Sequence, residues 1–482
     1  MTVYLKILDE DQILNIHSAT LEVLEKTGVK MYAPAAVRIL KNAGAYVDEK
    51  NNLVKLPAHL IDEAIKKAPK SFTLYARNPT HNVKIDEGEV IFGPMIGRIN
   101  VIDLESGKKR RTTLNDVANL TRIASCLKHF KLPHSGVMMP HIEGIPDSVA
   151  HAQAYLVSVI NSEKVVKGTA RDKTKAKDCI RMASVLADCD TEELRKKPNI
   201  FTTCNPIPPL KHEKDQTEGL IEYARCGLPI DVTGEVQAGA TSPVTLAGSL
   251  VVQNAVILSG ITIVQLVNPG NPIFYGTAST IMDLHTGIIA KGAIEAGLFN
   301  VATAQMARHY GIPSRGTAGD TESKVLDIQA GYEKAITLLM AAMAGVNYIW
   351  YPGTLEYALS ISYESLVIDH EICGMIDHAL KGINVNADTL ATEIIDTVGP
   401  EGHFLGQKHT MNHLESEHYL PKLSNRQSRI DWEADGAMDL EEVAKKEVRN
   451  ILKNYQPTPL EKSVCTELKQ IVKEIEKREL KG

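Results

Sequence analysis

The sequence predicts an α/β protein built around a closed (β/α)8 (TIM) barrel. From about residue 90 onward, short apolar segments alternate with Gly-, Pro-, Thr- and Asn-rich loops and with amphipathic helical segments. Continuously apolar strands joined by helices are typical of a parallel sheet that is buried on both faces. Eight such strands are found, which is the number that closes a barrel. They are VIFGP (90–94), SGVMM (135–139), KVVKGT (164–169), NIFTTC (199–204), PIDVTG (229–234), PIFYGT (272–277), PSRGTA (313–318) and NYIWYP (347–352).

A doubly wound open sheet is the alternative fold, but no candidate strand is followed by GxGxxG. Helical segments such as LAGSLVVQNAVILSG and AGYEKAITLLMAAMAG fill the gaps between strands. We therefore predict the barrel at residues 89–400. Residues 1–88 are expected to form helices and short strands that pack on it, and residues 401–482 to form a C-terminal helical extension.

Composition excludes several classes of partner. The chain has 482 residues, of which 44% are apolar, so it can bury a large core. Its 53 Lys and Arg are outnumbered by 59 Asp and Glu, so nothing indicates a nucleic-acid-binding surface. The N-terminus MTVYLKILDEDQ lacks the pattern of a signal peptide. The sequence also has no run of 18 or more apolar residues, the length that would indicate a membrane span. We expect a cytoplasmic protein that binds neither nucleic acid nor membrane.

The fold prediction says where the site should lie, because barrel enzymes carry their sites at the carboxyl ends of the strands and in the loops that follow. Those positions hold aromatic, cationic, acidic and polar side chains. They are Tyr275, Trp350, Tyr351; Arg98, Arg171, Arg315; Glu235, Asp320, Glu356; and Asn205, Gln237, Thr277.

These residue types make a mixed site, which is compatible with more than one kind of ligand. Aromatic faces beside a carboxylate suit a quaternary ammonium, whose charge lies under methyl groups that cannot donate a hydrogen bond. An arginine can hold a substrate carboxylate in a bidentate pair. The plainer interpretation is that each ring caps the barrel core and that the arginines form ordinary loop salt bridges.

Other catalytic motifs are missing. The sequence contains no GxSxG, GxxxxGK[ST], HExxH or CxxC. His409 and His413 have metal-ligand spacing on a helix, but a structural or lid role is preferred and no metal is predicted. DLHTG (283–287) falls one residue short of the DxHxxG signature of corrinoid-binding proteins, so we expect no tightly bound cofactor.

Three C-terminal stretches resemble one known family. GTAGDTESKVLDIQAGYEKAITLLMAAMAGVNYI, SYESLVIDHEICGMI and GHFLGQKHTMNHLESEHYLPKLSNRQSRIDWEADG are similar to the trimethylamine methyltransferase (MttB) family. The resemblance implies a barrel that transfers a methyl group from a methylated amine to the cobalt of a separate corrinoid (cobalamin) protein. The trimethylamine enzymes contain pyrrolysine, which is absent here. The resemblance is therefore to the members that use betaines such as glycine betaine, proline betaine, carnitine and γ-butyrobetaine.

The residues then receive expected roles. Tyr275, Trp350 and Tyr351 form a wall around the methyl groups, and Glu235 and Glu356 supply negative potential as the catalytic carboxylates. The substrate carboxylate is expected at Arg315, Arg98 and Asn205. His409 and His413 are expected to meet the corrinoid partner or to close the site. A homo-oligomer is expected, with the tail helices on the barrel or on another subunit.

Two other functions stay open at this point. One is a barrel lyase or hydrolase that uses a metal at His409 and His413. The other is a non-catalytic protein that binds a corrinoid partner.

Overall fold

The computed structural model describes residues 4–132 and 142–480. The predicted strand SGVMM (135–139) lies outside these residues, and so do Pro140 and His141, which follow its carboxyl end and belong to the predicted rim. The described helices are α1 (Glu10–Lys26), α2 (Pro34–Asn42), α3 (Ala58–Lys67), α4 (Leu114–Cys126), α5 (Ala150–Ile160), α6 (Lys173–Leu186), α7 (Thr191–Lys196), α8 (Lys214–Arg225), α9 (Leu246–Val267), α10 (Ile294–Tyr310), α11 (Ile328–Met343), α12 (Tyr363–Ala379), α13 (Ala387–Leu390), α14 (Thr392–Val398), α15 (Lys408–Glu417), α16 (Arg429–Ala434), α17 (Leu440–Asn454) and α18 (Lys462–Leu480).

The described strands are short. They are β1 (Val29–Met31), β2 (Tyr46–Asp48), β3 (Leu53–Lys55), β4 (Phe72–Leu74), β5 (Val83–Ile85), β6 (Ile91–Gly93), β7 (Asn100–Ile102), β8 (Lys109–Arg111), β9 (Thr202–Cys204), β10 (Lys211–His212), β11 (Ile230–Gly234), β12 (Gln237–Ala238), β13 (Ile273–Thr277), β14 (Thr280–Asp283), β15 (Ile288–Ala290), β16 (Ser314–Thr317), β17 (Tyr348–Trp350), β18 (Thr354–Leu355) and β19 (Ser360–Ser362).

The predicted barrel is confirmed. Six parallel strands among the described residues pair in the order β6-β17-β16-β13-β11-β9. The eighth predicted strand thus returns to the first, with Tyr348 opposite Ile91 and Trp350 opposite Gly93. Beyond β6 the curled sheet continues at Phe130, which pairs in parallel with Phe92.

The prediction of a strand at 164–169 is wrong in its detail. This segment forms no regular strand, and among the described residues a backbone hydrogen bond from Gly168 N to Phe201 O (2.9 Å) ties it to the segment that leads into β9. A side chain also anchors the start of this segment. The Lys164 ammonium donates to the carbonyl oxygens of Ala124, Leu127 and Phe130.

One end of the barrel is closed by an N-terminal hairpin. β4 and β5 pair antiparallel, and Leu74, Val83 and Ile85 join the apolar cluster inside the barrel. The Phe72 ring meets the Phe274 ring edge to face at 5.0 Å. Because these contacts are made with the beginnings of the strands, only the carboxyl ends are left open as a mouth.

Helix α9 is long and apolar enough to cross a membrane, but 78% of its most apolar window is buried inside the fold. It packs against α1, α3 and β11. Burial on all these sides is the property of a core helix.

The C-terminal helices behave differently from one another. α17 packs on α12 and α4, and α18 packs on α5 and α6, as the tail pattern predicts for packing on the barrel. Between them and α12 lies a segment that we call the arm (383–436), whose helices α13 to α16 have no buried residue. The division into three units at residues 88 and 400 stays a prediction.

Candidate functional site

The end of β17 places Trp350 in the centre of the barrel. Its side chain is buried (1% exposed) and is bracketed by two cations. The Arg315 guanidinium carbon lies 4.3 Å from the ring centroid, and the Lys167 nitrogen lies 4.6 Å from it. Because both cations belong to the protein, the Trp350 ring stabilises the floor of the mouth and its faces are already used.

Arg315 and Lys167 share one carboxylate below the mouth. Arg315 Nε lies 3.5 Å from Asp231 Oδ2, and an Arg315 terminal nitrogen donates to Thr277 O (2.8 Å). Burial lowers the pKa of Lys167 well below its ordinary value, while Asp231 opposes that shift and Arg315 adds to it. The barrel interior is therefore a dense charged layer on which the mouth rests.

Tyr351 forms the wall of the mouth. Its ring meets the Trp350 ring edge to face at 5.3 Å, and two cations lie near it, Arg98 at 5.4 Å and Lys291 at 5.9 Å. Its backbone has φ of 123°, a conformation that a tyrosine adopts at an energetic cost. Such a conformation persists only when the surrounding structure fixes it.

A buried ion pair fixes that turn. The Lys334 ammonium on α11 donates to Asp369 Oδ2 on α12 (2.7 Å), to Gly319 O (3.0 Å) and to Thr354 O (2.7 Å). The same Asp369 oxygen accepts from Gly353 N (2.5 Å). The loops after the seventh and eighth strands are thus held to one pair, and the turn that carries Tyr351 follows from it.

Glu235, which follows β11, lies in the mouth but does not carry a bare charge. Lys291 Nζ donates to its Oε1 (2.7 Å) and Asn205 Nδ2 to its Oε2 (3.2 Å). Burial works to raise the pKa of Glu235, but Lys291 and Asn205 outweigh it and hold that pKa below its ordinary value. Protein surrounds Glu235, yet 34% of its side-chain surface is accessible, so it lines an open cavity.

Two buried groups beside Tyr351 lack partners among the described residues. Arg98 is 5% exposed, its Nε has no hydrogen-bond partner, and a terminal nitrogen meets only the Met95 sulfur (2.9 Å). Asp320 is 1% exposed; its Oδ1 accepts from Thr354 Oγ1 (2.8 Å), but its Oδ2 has no partner. Burial raises the pKa of Asp320, and the nearby Lys334 and Arg98 charges oppose that rise. An unsatisfied buried donor and acceptor of opposite charge leave room for a ligand with both charges.

The structure does not bring every predicted site residue to this cavity. Tyr275 lies on the outer face of β13, where its hydroxyl donates to Asn254 Oδ1 on α9 (2.8 Å). Glu356 is paired with Lys109 (2.8 Å) in the small sheet beside the mouth. Arg171 is exposed. The prediction that Tyr275 forms part of the wall around the methyl groups is therefore wrong. Alternate residues of a strand point to opposite faces, and Tyr275 is on the outer face.

His409 and His413 lie on the arm, away from the mouth. α12 begins at the carboxyl end of β17 and runs back beside the barrel, so the arm starts at the opposite end. Consistent with this, Ile383 lines a groove with Gly88 and Val90, which precede β6. The expectation that these histidines close the site of their own chain is therefore not supported by their position.

The groups that the sequence did not reveal are lysines. Lys291 follows the β14–β15 hairpin and not a barrel strand, so a search of strand ends passes over it. Lys167 lies within a predicted strand, but only its burial (2% exposed) shows that it points inward. Lys334 lies on a helix that otherwise reads as apolar packing. In each case the sequence feature that could have revealed the residue is a lysine within a mostly apolar segment.

A curled parallel sheet, with a mouth at its carboxyl end lined by rings and charged side chains, defines a protein of the (β/α)8-barrel class. Comparisons with known proteins show to which family of barrel proteins the chain belongs. The family profile for trimethylamine methyltransferase (MTTB) matches residues 2–480. The chain belongs to this family and is a methyltransferase.

Individual relatives agree with that assignment. The chain is 37% identical to the glycine betaine methyltransferase of Desulfitobacterium hafniense (strain Y51), over 97% of this chain and 96% of that one. It is 34% identical to the trimethylamine methyltransferase MttB of Methanosarcina barkeri (strain Fusaro / DSM 804), over 98% of this chain and 96% of that one. The crystal structure of the Methanosarcina barkeri monomethylamine methyltransferase (MtmB) is similar in fold, with a TM-score of 0.55 and 14% identity, over 94% of this chain and 88% of that one.

Proposed function

We propose that this protein transfers a methyl group from a quaternary amine with a carboxylate, of which glycine betaine is the first candidate, to the Co(I) of a separate corrinoid protein. The observation that carries the proposal is a pair of buried, oppositely charged groups, Arg98 against the Tyr351 ring and Asp320, each with an atom that has no hydrogen-bond partner among the described residues. A betaine supplies a carboxylate for the first and a cation for the second. Trimethylamine supplies no carboxylate.

The chemistry requires orientation more than acid–base catalysis. The Co(I) electron pair attacks one methyl carbon, the C–N bond breaks, and its electrons stay on nitrogen, so glycine betaine leaves as dimethylglycine and the cobalt becomes methyl-Co(III). The positive charge on nitrogen disappears as the bond breaks. A cage that bound this charge tightly would stabilise the substrate more than the transition state and slow the reaction.

The electrostatic field in the mouth is moderate, which suits a reaction in which the positive charge on nitrogen disappears. In the mouth, Lys291 neutralises the Glu235 carboxylate, and beside the mouth Lys109 neutralises Glu356. Asp320 is a nearby carboxyl group whose Oδ2 has no hydrogen-bond partner in the described part of the chain. Tyr351 then packs on the methyl groups, and its fixed backbone holds one methyl group in line for attack, which lowers the barrier through proximity.

The rim supplies a surface for the partner. Exposed apolar side chains follow several barrel strands around the mouth; they are Ile207, Val244, Leu284, Ile288, Ile294 and Val325. DLHTG forms the exposed β14–β15 turn on this rim, where His285 N donates to Asp283 Oδ1. The proposal keeps the corrinoid in the partner, with none tightly bound in this chain. The proposal also includes a cytoplasmic homo-oligomer.

The rival metal-dependent lyase or hydrolase would put its chemistry at His409 and His413, which are far along the chain from any mouth residue and on the other end of the barrel. The second rival, a non-catalytic protein that binds a corrinoid partner, would not require buried charged groups such as Arg98 and Asp320 in the mouth. Neither rival is favoured by a specific observation.

The test compares two ligands in two variants. Wild type, Arg98→Gln and Asp320→Asn are assayed with glycine betaine and a Co(I) corrinoid protein, by following loss of Co(I) absorbance. Choline, which has the quaternary ammonium but no carboxylate, is used as a competing ligand. We expect Arg98→Gln to raise the KM for glycine betaine about tenfold to a hundredfold, from roughly 1.5–3 kcal/mol per charge-assisted hydrogen bond, and to leave choline inhibition within about threefold.

Asp320→Asn is expected to weaken both ligands, because both carry the cation. Arg171→Gln is the matched control, since Arg171 is an exposed arginine at the same predicted rim, and it should behave as wild type. Equal losses of glycine betaine and choline in Arg98→Gln would show that Arg98 does not bind the carboxylate and would overturn the assignment.

A further inference from the structure

Three side chains that can bind a metal converge on the arm, outside the barrel. His409 and His413 stand one turn apart on α15, with ring centroids 4.3 Å apart, and Asp388 on α13 faces them. His413 Nε2 lies 3.1 Å from Asp388 Oδ2, and one ligand atom from each of the three residues lies within 4.8 Å of the others. We propose that Asp388, His409 and His413 form a zinc site that fastens α13 to α15.

The spacing fits a small tetrahedral ion. Zinc bonds to imidazole nitrogen and carboxylate oxygen are about 2.0–2.2 Å long, so two ligand atoms of one tetrahedron are roughly 3.3–3.5 Å apart. The pair formed by His413 and Asp388 already has nearly this separation. His409 needs a modest side-chain rotation, which its partly exposed position allows. Two imidazoles and one carboxylate leave the fourth position to water.

The arm needs such a fastening. Its helices α13, α14, α15 and α16 have no buried residue, and apolar side chains such as Ile395 and Leu405 are exposed. Leu423, in the loop between α15 and α16, is the one arm residue that is buried. Helices that bury so little are commonly stabilised by a metal or by cross-links. The metal would hold α15 against α13 where apolar packing does not.

Hydrogen bonding alone is the competing explanation. His413 can donate to the Asp388 carboxylate, and His409 Nε2 lies 3.1 Å from the Asp388 carbonyl oxygen. These two contacts account for the geometry without an ion. The two explanations differ in one measurable way, because hydrogen bonds leave the arm indifferent to zinc, whereas a site predicts saturable binding.

The sequence alone favoured no metal here, because a pair of histidines on one helix commonly serves in hydrogen bonds. Asp388 changes that expectation, since it comes from another helix and supplies a third ligand. The site is structural, because the arm starts at the end of the barrel opposite the mouth.

The experiment is zinc binding to the full chain without an affinity tag, stripped with EDTA and titrated with zinc chloride by calorimetry. We expect one zinc per chain with submicromolar affinity. His413→Ala and Asp388→Ala should each weaken binding at least tenfold. His403→Ala is the matched control, because His403 is exposed on the same arm but outside the three-residue cluster, and it should bind zinc as wild type does.

Hydrogen exchange of wild type gives a second readout that requires no variant. Zinc should slow amide exchange in α13 and α15 and leave the barrel strands unchanged. Absence of saturable binding in wild type would overturn the site, as would an equal loss in His403→Ala, which would show adventitious ions only.

Discussion

The barrel mouth and the arm differ in how far their side chains are buried and paired with other protein groups. In the mouth, rings lie against cations and nearly every carboxylate has a partner, as in the buried pair of Lys334 and Asp369. In the arm, no helix buries a residue, and Leu423, in the loop between α15 and α16, is the one arm residue that joins the apolar core. The mouth is thus fixed by the whole fold, so an unsatisfied group there, such as Arg98, indicates a ligand. In the arm, an exposed group without a protein partner indicates only contact with solvent.

The largest effect should come from breaking the buried pair that holds the mouth. Asp369→Ala leaves the Lys334 ammonium unpaired inside the protein, which typically costs about 3–5 kcal/mol in the free energy of unfolding. Urea denaturation measures it. Asp396→Ala, which removes an exposed carboxylate on the arm, should change the same quantity by less than about 0.5 kcal/mol. Equal effects of the two substitutions would remove the distinction between the regions.

The next effect concerns the wall of the mouth. Tyr351→Ala removes the ring that we place against the methyl groups, and a desolvated cation on an aromatic face is worth about 2 kcal/mol, or roughly a 25-fold rise in KM for the quaternary amine. Tyr351→Phe keeps the ring and should change KM less than about threefold. Steady-state kinetics with the corrinoid partner measure both. An unchanged KM in Tyr351→Ala would place the methyl groups elsewhere.

A smaller effect depends on pH. Burial, together with the Asp320 and Glu333 carboxylates, raises the pKa of Glu322 to about 7, although Gly292 N donates to it. The unfolded chain therefore releases this proton at a lower pH than the folded chain does. Below the unfolded pKa, Glu322 is protonated in both states and does not destabilise the fold. As pH rises through the folded pKa of about 7, the buried carboxylate becomes charged and lowers the free energy of unfolding.

Glu322→Gln removes this titration. We expect the variant to melt at a higher temperature than wild type at pH 8, and the difference to shrink at pH 5. Thermal unfolding at both values checks it. A difference that grows toward pH 5 would have the opposite sign and would contradict the raised pKa.

The smallest effect should come from the apolar surface of the arm. Leu405 is 84% exposed, so Leu405→Glu should leave the free energy of unfolding within about 0.5 kcal/mol of wild type. Urea denaturation of dilute protein measures it. A loss above about 1 kcal/mol would mean that another subunit covers the arm, and the contrast with the mouth would then hold only for the isolated chain.

The sequence predicted the barrel well because buried parallel strands read as continuous apolar runs with helices between them. It predicted Trp350 and Tyr351 at the mouth because they end such a run. It misplaced Tyr275, although counting alternate residues along PIFYGT from the interior Phe274 separates the two faces. It could not pair Glu235 with Lys291, because that lysine arrives from a hairpin whose path depends on tertiary packing.

The arm marks the other limit of prediction. The i and i+4 spacing of His409 and His413 is visible in the sequence, whereas Asp388 lies about 20 residues earlier, and only the folded chain brings it to them. The unsatisfied state of Arg98 and Asp320 is likewise a property of three-dimensional packing, since it depends on what fails to reach them.

The most direct test is a substrate panel on the wild-type protein. Glycine betaine, proline betaine, carnitine, choline and trimethylamine are each incubated with the protein and a corrinoid protein held as Co(I), and absorbance reports the formation of methyl-Co(III). We predict a signal from one betaine or more and none from trimethylamine. Methyl transfer from trimethylamine, with silence from every betaine, would contradict the proposed pairing of Arg98 with a substrate carboxylate.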